Sequence, residues 1–141
     1  MNIKTLGGNS LPKPEPVINT LETKRWPRDA RVAAKALSLS DYKCAYDESH
    51  TSFISKVTDK RYLEVHHLVP MMYHGDFDVS LDRTAQLLAL CPTCYRQIHH
   101  GNDEEKKKML RKLYLDRQNE LRAVGVEVNF NTLCNMYGIE D

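Results

Sequence analysis

The chain of 141 residues holds no apolar run approaching the roughly 18 residues that cross a bilayer, and its opening MNIKTLGGNS lacks the apolar stretch of a secretory signal. These absences exclude a membrane-spanning helix and lead to the expectation of a cytoplasmic protein with no membrane partner. An excess of one charge is missing too. Twenty Lys+Arg against 19 Asp+Glu leave a formal net charge of +1, so no global field draws nucleic acid and any such contact needs a local basic face. Internal repeats and low-complexity tracts are absent as well. What remains is a globular composition, 41% hydrophobic and 28% charged, long enough for one modest core and too short for two comfortable domains.

Residues 1–24 carry a Gly-Gly pair and the prolines of LPKPEP, a composition that predicts a flexible N-terminal arm or linker, leaving 25–141 as one domain. After Trp26-Pro27 the spacing of Val32, Ala33, Ala36 and Leu37 predicts a helix over about 28–39. FISKV and RYLEVHHL, separated by Thr58-Asp59-Lys60, read as a short hairpin whose second strand ends at His66 and His67. A loop and the apolar run LLAL then lead to CPTCYRQIHHG, a tight knuckle entering a short helix. Met109, Leu110, Leu113, Tyr114, Leu121 and Val124 share one side of a long helix over about 103–124, with Asp103 as its cap and Gly125 as its end. Asn131 would cap a last short helix. The mixture of short strands and helices reads as α+β.

Four cysteines form no obvious disulfide framework, but three have metal-ligand spacing. Cys91 and Cys94 make a C-x2-C knuckle that sets two thiolates on one side of a tetrahedral Zn2+, and Cys44 supplies a third. Two candidates compete for the fourth position: His50 on ligand chemistry, Asp47 on its C-x2-D spacing from Cys44. Such a structural zinc converts metal-binding free energy into folding free energy. Cys134 has helical spacing with Leu133 and Tyr137 and reads as core.

Phosphodiester cleavage needs an activated water and a cation to stabilise the charge that builds on the phosphate and leaving oxygen. His66 and His67, adjacent on a strand, point to opposite sides. Tyr95 and His99, four apart, share one helix face and can grip one ion. The segments YLEVHHLVPM and LLALCPTCYRQIHHG, in that order, resemble the HNH nuclease family, closest to its restriction-type, cysteine-bearing domains, over about residues 28–101. The resemblance implies a zinc-stapled ββα-metal core with flanking helices and a metal-dependent DNA endonuclease used in restriction of foreign DNA. It makes His66 and His99 ligands of a catalytic Mg2+, Mn2+ or other divalent ion, His67 the general base, and Glu64 a residue that orients a ligand.

Two positions depart from the family pattern. Gln86 stands where the family has the asparagine that locks the loop and orients the base, and Tyr95 stands where it has a metal-binding histidine. A neutral phenol ligates less well than imidazole, so a second reading is a catalytically impaired DNA-binding module. A third is a zinc domain that docks a protein partner through its terminal helix. Arg96, beside Tyr95 and His99, is a candidate phosphate clamp, and His100 and Lys112 are further candidate nucleic-acid contacts. Arg25, Arg28 and Arg31 offer a second set of backbone contacts. No recognition helix is visible, so target choice is expected from another domain or subunit. His74 reads as an exposed loop histidine.

Overall fold

The computed structural model describes residues 17–18, 24–25 and 27–139. Strands β1 (Val17–Ile18) and β2 (Lys24–Arg25) pair antiparallel; the rest of the proposed 1–24 arm lies outside the described residues. Helix α1 (Ala30–Leu39) follows, capped by Asp29, whose carboxylate accepts the Arg31 N–H at 2.9 Å. Its bounds match the 28–39 expectation to within two residues.

Strand β3 (Glu64–His67) does not take FISKV as its partner. It pairs antiparallel with β4 (Leu87–Leu90), with Glu64 opposite Leu90 and His67 opposite Leu87, while the expected hairpin closes only over residues 53–62, where an Ile54–Arg61 bridge is flanked by the Ser55 N–H on the Lys60 carbonyl and the Tyr62 N–H on the Phe53 carbonyl. Burial explains the choice. All four residues of LLAL are buried, whereas Phe53, Ile54 and Val57 stay exposed, so pairing with β4 removes far more apolar surface from water. Between the strands runs a 3-10 turn, Met71–Asp76.

Helix α2 (Pro92–His100) starts at the cysteine knuckle, with Pro92 in the first turn and the Cys91 sulfur accepting the Cys94 N–H. Helix α3 (Asp103–Ala123) is capped by Asn102 rather than Asp103, because the Asn102 side chain sits at the geometric N-cap and accepts the Glu105 N–H. Asp103 joins Glu104 and Glu105 in an acidic first turn that complements the helix dipole. Helix α4 (Phe130–Met136) is capped by Asn129, two residues before the expected Asn131, with its side chain accepting the Thr132 N–H. The core is one cluster in which Met109, Leu110, Leu113 and Leu121 of α3 meet β4, Ile98, and Leu133 and Cys134 of α4. The result is a small α+β molecule in which the β3–β4 pair carries the two histidines and packs against α1 and α2. No helix among the described residues is long and apolar enough to cross a membrane.

Candidate functional site

Cys44, His50, Cys91 and Cys94 converge, with all four ligand atoms within 4.8 Å of one another. His50 Nδ1 lies 3.3 Å from the Cys94 sulfur and 3.7 Å from that of Cys91. The opposite ring nitrogen, Nε2, faces the Asp47 carboxylate at 3.5 Å. Asp47 therefore backs the imidazole and does not share its place, the arrangement in which a carboxylate fixes the orientation of a metal-binding histidine. The Ala45 N–H donates to the Ala89 carbonyl at 2.7 Å and ties this otherwise irregular loop to β4. Burial opposes ionisation of Cys44, but main-chain N–H groups of Cys91, Asp47 and Tyr46 outweigh it and lower its pKa. Burial and the neighbouring Cys91 and Cys44 sulfurs push the Cys94 thiol upward. A cation among these donors would offset the crowding that burdens Cys94, and the donor set can hold a metal such as zinc.

The histidines border a cavity of about 450 Å³. His66, on β3, is 5% exposed, and its ring centre lies 5.0 Å from that of His99 and 6.0 Å from that of Tyr95, both on α2. Tyr95 and His99 are 4.8 Å apart, as their i, i+4 spacing requires. His66 Nε2 is 2.7 Å from the Tyr137 hydroxyl, which in turn donates to the Leu68 carbonyl. A hydroxyl has one proton, so Tyr137 accepts from His66 Nε2–H and the lone pair of His66 is on Nδ1. Burial, then the nearby His99 and His67, hold the His66 pKa down to about 3. Partial burial followed by His100, Lys106 and Arg96 lowers that of His99, against an opposing Glu64. Arg28 and Lys106 also line the cavity, and among the described residues that line it none is a carboxylate.

His67 lines the same cavity but is held differently: its Nε2 lies 2.9 Å from Asp82 Oδ1. Gln86 is fully buried, and both atoms of its amide bond the main chain of Val69, the oxygen accepting the N–H at 2.9 Å and the nitrogen donating to the carbonyl. It locks the loop after β3, as the asparagine of the family pattern is supposed to, while the contact to His67 belongs to Asp82.

Arg96 and His100 are exposed on α2, flanking His99 in sequence. Lys112 points elsewhere, pairing with Asp116 at 2.7 Å and reaching toward the Ala45 carbonyl beside the cysteine cluster. Much of the basic content of α3 serves the fold. Arg117 donates to the Thr84 and Ala85 carbonyls, and Arg111 stacks over Phe130 at 4.7 Å. Arg31 pairs with its own cap, Asp29. His74 is fully buried, with Nε2 accepting the Leu81 N–H at 3.1 Å, because the 3-10 turn folds it inward beneath residues 80–82; it is no exposed loop histidine. Asp82 and Tyr137 are partners of the histidines that spacing arguments missed, since they lie 15 and 71 residues away in sequence; Lys106, also missed, lines the cavity from the first turns of α3 and donates to the Tyr137 carbonyl.

No family model matches this chain. Over 120 residues, 82% of its length, it is 29% identical to the type IV methyl-directed restriction enzyme EcoKMcrA of Escherichia coli (strain K12), and it spans 40% of that protein. The similarity is distant and reaches less than half of that restriction enzyme.

Proposed function

We propose that residues 25–141 form an HNH-type nuclease domain that hydrolyses DNA phosphodiester bonds with a divalent cation, acting in the cytoplasm in restriction of foreign DNA. One observation carries this reading: His66, His67 and His99 border a single cavity whose charged lining residues, Arg28 and Lys106, are both cations. Such a cavity suits a polyanion. Arg28 and Lys106 bind and orient the backbone there, with Arg96 and His100 on the exposed face of α2 extending the contact. His67 takes the proton from the attacking water. His66 Nδ1 and His99 are the nitrogens that would hold the ion, with Tyr95 beside them. When bound, a divalent cation supplies charge stabilisation for the phosphate and leaving oxygen. Zinc on Cys44, Cys91, Cys94 and His50 holds the scaffold, and a target-recognition domain or subunit selects the DNA.

The test is nicking of supercoiled plasmid by the zinc-loaded protein with Mg2+ or Mn2+, alongside His67→Ala. Divalent-dependent nicking that falls by about 10²-fold or more in the variant supports the reading; equal rates in both proteins overturn it. A second reading, an impaired module that binds DNA without cutting it, is favoured by the phenol of Tyr95 in the place of an imidazole. Under that reading Tyr95→His raises divalent-ion affinity and brings cleavage where the native chain has none.

A further inference from the structure

We infer that Asp82 is a positioning residue that fixes the single proton of the His67 ring on Nε2 and leaves Nδ1 as the atom that accepts a proton from water. The inference rests on the reading of His67 as the base. The Asp82 carboxylate is buried and fully engaged: Oδ1 lies 2.9 Å from His67 Nε2, and Oδ2 accepts the Asp29 N–H at 2.7 Å. Its own N–H donates to the Ser80 hydroxyl at 3.1 Å. A carboxylate only accepts, so the atom of His67 that faces it is the one that donates.

The second oxygen matters as much as the first. Asp29 is also the cap of α1, and its main-chain N–H anchors Asp82 from the far side, so the carboxylate is held between a helix end and the imidazole. With Nε2 pinned, rotation of the ring is restricted and Nδ1 is the nitrogen left for the cavity that His67 lines. The amide of Gln86, the other candidate for this task, is spent on Val69 and is not available to the ring. Orientation of a base by a buried carboxylate is worth orders of magnitude in other hydrolases, because the wrong tautomer presents a proton where a lone pair is needed.

The discriminating variant is Asp82→Asn. It keeps the shape and one oxygen for the Asp29 N–H, but turns an NH2 group toward Nε2, which must then accept and move the ring proton to Nδ1. Nitrogen-resolved NMR of the neutral His67 ring reads this directly. The expected result is the proton on Nε2 in the native protein and on Nδ1 in Asp82→Asn, with unfolding temperatures alike. In plasmid nicking, kcat falls on the order of a hundredfold with KM nearly unchanged, and Asp82→Glu recovers part of the loss. A native ring protonated on Nδ1 overturns the inference. So does an Asp82→Asn protein that nicks at the native rate while His67→Ala is inactive, an outcome that spares the base. If His67→Ala itself nicks at the native rate, the base reading fails and the inference falls with it.

Discussion

The two neighbouring histidines of β3 live in different environments, one under a tyrosine hydroxyl and one against a carboxylate, and this difference has a consequence for pH. His66 is buried and neutral, with a pKa near 3 in the folded chain against 6.5 for the free side chain, the cause being burial and then the adjacent His99 and His67. A depressed histidine pKa means that the unfolded chain binds the proton first as pH falls. Stability is therefore complete above about 6.5 and is lost progressively as pH drops toward 3. His66→Gln, which can still donate to Tyr137, removes this titration. In urea unfolding of zinc-loaded protein without other divalent ions, the stability of native protein relative to the variant should fall by about 2 kcal/mol between pH 7.5 and pH 5. A constant difference across that range would show that His66 is solvated. The imidazoles themselves were legible in the sequence, because residue type and i, i+4 spacing announce them. Their partners were not: Tyr137 lies 71 residues from His66 and Asp82 lies 15 from His67, and no local periodicity connects such pairs.

Strands and helices were legible to the extent that their burial is periodic. Helix α3 carries its apolar face at helical spacing, and α1 and α2 likewise. The partner of β3 was not, since a wholly apolar run such as LLAL has no alternation to reveal which way it faces, and the nearer FISKV looked like a hairpin arm. Caps fell one or two residues away from the expected positions, Asn102 for Asp103 and Asn129 for Asn131, because asparagine and aspartate compete on equal terms for that place. The junction between α2 and α3 is tightly packed at Gly101. A Cβ on Gly101 would stand 2.6 Å from the Gln97 carbonyl oxygen, which already accepts the Gly101 N–H at 2.7 Å. Main chain cannot swing aside as a side chain can, so Gly101→Ala should unravel the last turn of α2, which carries His99 and His100. We expect a loss of about 1–3 kcal/mol in denaturant unfolding and a weaker divalent-ion affinity at the histidine cavity. Native stability in that variant would mean the junction relaxes freely.

For the molecule as a whole, a net charge of +1 concealed a cavity whose charged lining residues among those described, Arg28 and Lys106, are both cations. The cysteine cluster spans the structure in a comparable way. It joins an irregular segment around Cys44 and His50, which has little regular hydrogen bonding of its own, to the end of β4 and the start of α2, and so to the strand that pairs with the histidines. Three of its ligands were legible from spacing and the fourth was narrowed to two; geometry gives His50 the nitrogen among the sulfurs and Asp47 the place behind it. Because α3 and α4 also bury Met109, Leu110, Leu113, Leu121 and Leu133 in the core that the three cluster cysteines join, removing the metal should not abolish all structure but should free the Cys44 loop and loosen β4. Elemental analysis should find one zinc per chain, lost in Cys94→Ala and kept in Cys134→Ser, whose sulfur is buried in the core outside the cluster. Chelation should lower stability by about 4 kcal/mol, on the order of 10 °C in unfolding temperature for a chain of this size. Asp47→Ala, which leaves every ligand in place, should retain zinc with lower affinity, by about 10-fold, as loss of the carboxylate behind a metal-binding imidazole does. A chelated protein that melts with the native one, or zinc content unchanged in Cys94→Ala, would remove the metal from the account of how this fold holds its histidines.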